Sequence, residues 1–143
     1  MIRVMATGVF DILHMGHIHY LSESKKLGDE LLVVVARDST AHRNGKNPLF
    51  DENSRLDLVK ELKQVDRAIL GHEGDIFRTV LENKPDIITL GYDQRFDAEK
   101  IQDKCRELGL NTKVVRISKY DGKRFQSSSE VRQKLYELIE SQI

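Results

Sequence analysis

A chain of 143 residues is short enough to be one domain and long enough to bury a core without disulfides or metal staples. Its 23 Lys and Arg equal its 23 Asp and Glu, so no broad basic field points to duplex nucleic acid, and any anion site has to be local. The one cysteine, Cys105, excludes an internal disulfide. No apolar run approaches the about 20 residues that cross a bilayer, and no signal-like start is seen, so a soluble cytoplasmic protein is expected.

Ile2 to Thr7 predicts a first strand that breaks at Gly8, where a glycine lets the chain bend sharply over the strand end. Past this loop the apolar pattern resumes at Ile18 and Leu21, predicting a helix that starts near Gly16 and stops at Gly28. Leu31 to Ala36 is continuously apolar and β-branched, the pattern of a strand buried on both faces of a parallel sheet. Arg37 to Phe50 turns polar and basic and reads as a mobile loop. Asp51 then caps a helix whose apolar face is Leu56, Val59 and Leu62.

Ala68 to Leu70 makes a short third strand closed by Gly71, and Asp75 caps a helix through Phe77, Val80 and Leu81 that Pro85 ends. Asp86 to Leu90 is a fourth strand stopped by Gly91. A helix from about Asp97 to Leu108 closes at Gly109, and Thr112 to Arg116 is a fifth strand. The polar run Ser118 to Gln126 leads to Ser127, Ser128 and Ser129, a hydroxyl-rich start for a last helix carrying Val131, Leu135, Leu138 and Ile139. Strand and helix alternate throughout, which predicts an α/β fold: one Rossmann-like, doubly wound, five-stranded parallel sheet of order 3-2-1-4-5 spanning residues 1–143 as a single domain. The crevice where the winding reverses would open above strands one and four, setting Gly8 to His17 beside Gly91, Tyr92, Asp93 and Gln94.

In that crevice the chemistry is carried by His14 and His17. Their rings and the N–H groups of a helix start would face one small volume, and Gly16 between them lets a bound group approach the main chain. The residues alone leave three readings: donors to phosphoryl oxygens, a metal pair lacking an identifiable third ligand, or a structural helix start. Arg43 and Lys46, on a glycine-containing basic loop, suit the outer phosphates of a triphosphate, with Arg55 one helical turn into the next element; the alternative is a solvated basic loop. Asp93 would meet a ribose or base edge, or else cap its own turn. Ser127 and Ser128 can cap the last helix and bind a phosphate at once. His19, His42 and His72 are read as surface or structural residues.

Thr7-Gly8-Val9-Phe10-Asp11 followed by His14-Met15-Gly16-His17 resembles the signature of the cytidylyltransferase-like nucleotidyltransferases. That resemblance implies histidines that contact a nucleoside triphosphate and stabilise charge while a substrate phosphate attacks the α-phosphorus and pyrophosphate leaves. Ala36-Arg37-Asp38, Gly91-Tyr92-Asp93-Gln94 and Lys119-Tyr120 resemble the archaeal-type FAD synthase branch, which joins AMP from ATP to FMN. By that similarity Val9, Phe10, His14, Met15, Gly16, His17, Asp93 and Tyr120 would bind ATP. A divalent metal cation is expected to accompany the triphosphate, and a homodimer is expected from the prevalence of C2 pairs. The Arg-x-x-Gly-Ile-Ser-Thr-Thr segment usual in glycerol-3-phosphate cytidylyltransferases is absent from 119–129, although a cytidylyltransferase for a small alcohol phosphate and a nucleotide-binding sensor without chemistry stay open as alternatives.

Overall fold

The structure, a computed structural model, describes residues 1–122 and 127–141, so the end of the polar run read through Gln126 lies outside the described residues. Five strands, β1 (Arg3–Gly8), β2 (Glu30–Val35), β3 (Arg67–Leu70), β4 (Ile87–Leu90) and β5 (Lys113–Arg116), pair in parallel in the order β3-β2-β1-β4-β5. The register runs from Arg3 opposite Glu30 to Gly8 opposite Val35 on one side of β1, and from Val4 opposite Ile87 to Ala6 opposite Thr89 on the other. Helices α1 (Met15–Lys25), α2 (Asp38–Arg43), α3 (Glu52–Lys60), α4 (Ile76–Asn83) and α5 (Ala98–Glu107) fill the connections, and α6 (Ser128–Glu140) follows β5.

Successive strand residues point to opposite faces, so one apolar run feeds two cores. Val4 and Ala6 of β1 and Leu31, Val33 and Val35 of β2 pack with Leu21 of α1 and Val59 of α3. Met5, Leu32 and Val34, the intervening residues, pack with Ile88 and Leu90 of β4, Val80 of α4 and Cys105 of α5. The continuous apolar pattern of β2 is thus explained by burial on both sides.

A polar seam crosses the first of these faces. Tyr20 donates its hydroxyl hydrogen to the carbonyl of Thr89 at 2.6 Å and accepts the N–H of Thr7 at 3.2 Å, while the hydroxyls of Ser24 and Thr89 lie 2.7 Å apart. With each group partnered, the seam pins α1 across β1 and β4 without leaving an orphan. Burial pushes the Tyr20 phenol up to about 12, so it stays a donor.

Two expectations need correction. The stretch 37–50 is not loop throughout: Asp38–Arg43 forms α2, anchored by fully buried Ala41, with Asp38 in its first turn and His42 and Arg43 in its last. Helix α1 ends at Lys25 rather than at Gly28; Gly28 is required because a Cβ there would meet the carbonyl oxygen of Ile2 at 2.7 Å. At the end of α4 the left-handed residue is Lys84, at φ 45°, placed just before Pro85. Gly109, at φ 82°, does close α5 as read.

Candidate active site

At its carboxyl end β1 empties into residues 9–14, and the sharp bend is made by Phe10, not by Gly8. Phe10 sits at φ 54°, a conformation that costs a side-chain-bearing residue about 1–2 kcal/mol. Its ring turns back beneath the strand end, and it is only 3% exposed. Gly8 therefore serves by leaving room: a Cβ there would lie 2.9 Å from Cε2 of Phe10.

His14 is the N-cap of α1. Its Nδ1 accepts the Gly16 N–H at 3.1 Å, and in return Nδ1 of His17 accepts the His14 N–H at 3.3 Å. A nitrogen that accepts carries no hydrogen, so in each neutral ring the proton sits on Nε2. The two rings lie 3.9 Å apart, centroid to centroid, and the Phe10 ring lies 5.5 Å from His17. Burial drives the His17 pKa down to about 3, helped by His14 and Lys46 and opposed by Asp11. Burial also lowers His14, against the pull of Glu130 and Asp93. Both rings are neutral at pH 7. The sequence reading of open N–H donors at this helix start is accordingly revised: Gly16 N–H goes to the His14 ring and His17 N–H to the His14 carbonyl at 3.0 Å. The imidazoles take over as donors.

Between the carboxyl ends of β1 and β4 lies a cleft of about 550 Å³, where the winding of the sheet reverses. The structure brings Val9, Phe10, His14, Gly16, His17, Lys46, Asp93, Tyr120, Ser127 and Ser128 together on its walls. Ser127 caps α6 by accepting the Glu130 N–H at 3.2 Å. Three of the sequence candidates are not brought there. Met15 opens α1 but does not line the cleft. Arg43 ends α2 with its guanidinium beside Gly74, away from the histidines.

Arg55 is the clearest correction: it is fully buried and its guanidinium is already spent. It donates to the carbonyls of Phe50, Val9 and Ala36 at 3.0, 2.8 and 2.8 Å and to the Asp38 carboxylate at 2.7 Å. A cation so enclosed brackets the walls of the cleft from behind instead of meeting a ligand. Three segments converge on it.

Sequence reasoning gave no role to four cleft residues, although it had set Asp11 and Gln94 in the crevice. The buried carboxylate of Asp11 accepts the N–H groups of Leu49 and Phe50 at 2.8 and 2.9 Å, fixing the 46–50 segment that carries Lys46. Arg132 of α6 reaches the cleft and lies 3.5 Å from Asp11; its spacing of four from Ser128 puts both on one helix face, a signal the sequence did offer. Gln94 spans the crevice floor, donating to the Thr7 carbonyl at 3.1 Å. His19, read as a surface or structural residue, lines the cleft, contacts the Ser118 carbonyl at 2.9 Å and faces the Tyr120 ring at 5.7 Å. His72 likewise has a partner, Glu82, at 2.7 Å.

Among the described residues no three His, Cys, Asp or Glu side chains gather where they could hold a metal ion. The cleft instead offers neutral N–H donors flanked by Lys46 and Arg132, an arrangement that fits a polyanion. On its β4 side Asp93 supplies acceptors for hydroxyl groups.

A family model described as Cytidylyltransferase-like matches residues 5–134. The chain is 73% identical over 139 residues to the FAD synthase of Thermoplasma volcanium and 70% identical over 139 residues to that of Thermoplasma acidophilum, covering 97% of each chain in both cases. It is also similar to a crystal structure described as the lipopolysaccharide core biosynthesis protein from Thermoplasma volcanium, with 76% identity and a TM-score of 0.83 over 84% of this chain and 98% of that one.

Proposed function

The chain belongs to the cytidylyltransferase-like family, and from that membership we propose that it acts as an FAD synthase, transferring the AMP portion of ATP to FMN and releasing pyrophosphate. The observation that carries the reading is the tautomer lock on His14 and His17: both Nδ1 atoms are held by main-chain N–H groups, so both rings offer Nε2–H in the cleft that Asp93 shares.

A phosphate oxygen of FMN attacks the α-phosphorus of ATP in line, a new P–O bond forms, and the bond to the β-phosphate oxygen breaks. Transfer of this kind asks the protein for position and charge stabilisation more than for a covalent intermediate. His14 and His17 donate to phosphoryl oxygens whose charge grows at the transition state, which is where a fixed donor counts most. Lys46 and Arg132 neutralise the β and γ phosphates and the departing pyrophosphate. Asp93 accepts from the ribose hydroxyls, and Tyr120 lies against the base. The divalent cation expected with the triphosphate arrives as part of that substrate.

A homodimer is proposed, supported by the apolar residues Leu135, Leu138 and Ile139 of α6, which stay 54%, 46% and 55% exposed. A cytoplasmic location is proposed on the free, buried thiol of Cys105. The test of function offers the protein ATP or CTP together with FMN or glycerol 3-phosphate and identifies products by mass. FAD and pyrophosphate from ATP and FMN are expected. A cytidylyl product from glycerol 3-phosphate, or nucleotide binding without pyrophosphate release, overturns the assignment.

A further inference from the structure

Residues 91–96 join β4 to α5 and build one wall of the cleft, with Tyr92, Asp93 and Gln94 facing it. This stretch is neither helix nor strand, so side-chain contacts have to fix its shape. Gln94 does part of this: its Oε1 accepts the Gly91 N–H at 2.8 Å and its Nε2 donates to the Thr7 carbonyl, tying the wall to β1. Beside the backbone bond from Gln94 N–H to the Gly91 carbonyl at 3.2 Å, a further tie comes from Arg116, the last residue of β5, which does not line the cleft. Its guanidinium donates to the carbonyls of Gly91 and Gln94, each at 2.9 Å, and of Phe96 at 2.5 Å. Those three acceptors span the whole wall.

We propose that Arg116 is a positioning residue for the nucleotide, holding the 91–96 wall so that Asp93 stands at a fixed place across from His14. The proposal rests on reading the cleft as an ATP site. A planar fork with five donors can meet three carbonyls at once, whereas a lysine ammonium offers one point and cannot hold the same spread. Because Arg116 itself is exposed, its removal loosens the wall without opening the core.

The test compares Arg116→Ala, Arg116→Lys, Asp93→Ala and the double variant, using calorimetric binding of ATP with magnesium and steady-state kinetics of FAD formation on the full chain. Arg116→Ala is expected to raise Kd and KM for ATP by about tenfold, as for residues that couple through one contact network. KM for FMN and the melting temperature stay near wild type, and Arg116→Lys falls between. In the double variant the loss is no greater than in Asp93→Ala. Wild-type ATP affinity in Arg116→Ala, full additivity with Asp93→Ala, or an equal rise in KM for FMN each overturns the proposal while leaving the ATP reading intact. A wild-type protein that binds no ATP overturns that reading, and this one with it.

Discussion

His17 has two jobs, and two substitutions separate them. In His17→Asn the side-chain oxygen stands where Nδ1 stood and can still accept the His14 N–H, now met at 3.3 Å, but nothing replaces Nε2–H. In His17→Gln the amide nitrogen reaches toward the Nε2 position while the cap acceptor is lost. Removing one preorganised donor costs about 2.7–4 kcal/mol at the transition state, or about 100- to 1,000-fold in kcat. Removing the cap costs about 1 kcal/mol of stability, a fall of about 2–4 °C in Tm for a chain of this size. His17→Asn should therefore keep its Tm and lose at least about 100-fold in turnover, and His17→Gln should lose Tm and keep more turnover. FAD formation followed by chromatography and thermal unfolding followed by circular dichroism measure the two effects. Turnover of His17→Asn within about threefold of wild type would refute the reasoning, because a donor active at the transition state cannot be that cheap to remove.

The same ring governs acid stability. With a folded pKa of about 3 against 6.5 for the free group, His17 takes up a proton in the unfolded chain before it does in the folded one. Stability is therefore lost as pH falls from about 6.5 toward 3, at up to about 1.4 kcal/mol per pH unit. His17→Asn should flatten the curve in that window, and parallel urea-denaturation curves for variant and wild type would contradict this. Arg55→Met should cost about 3–5 kcal/mol, since it strands the carbonyls of Val9, Ala36 and Phe50 and leaves Asp38 without its buried partner. A measured loss under about 1 kcal/mol by chemical denaturation would show that Arg55 is not a bracket. Gly8→Ala should destabilise by about 1–3 kcal/mol through the 2.9 Å approach to the Phe10 ring, checked by the same denaturation; an unchanged midpoint would mean the ring can withdraw.

Local signals carried far in this chain. Apolar run length marked β2 as buried on both faces, the strand and helix alternation set the winding, and the winding brought Gly8–His17 to Gly91–Gln94 across eighty-odd residues (roughly, by the strand-order rule). What failed was everything decided by contacts from several segments at once. Arg55 looks like any helix-surface arginine until Val9, Ala36, Asp38 and Phe50 close around it. Asp11 drew no role from the sequence because its partners, the N–H groups of Leu49 and Phe50, lie in a stretch with no periodicity to place them. At Gly8 the residue was right and the reason was not: the torsional burden fell on Phe10, and the glycine made space for a ring that only tertiary packing turns toward it. Arg132 could have been found from its spacing to Ser128, but its ion pair with Asp11 crosses most of the chain.

The claim beneath all of this is that His14, His17 and Asp93 grip one nucleoside triphosphate. A crystal structure with a non-hydrolysable ATP analogue and FMN measures it directly. Nε2 of both histidines should lie within hydrogen-bond distance of phosphate oxygens, with the Asp93 carboxylate on the ribose of the same molecule. An analogue seated elsewhere, or with its phosphates turned away from both rings, would contradict the account.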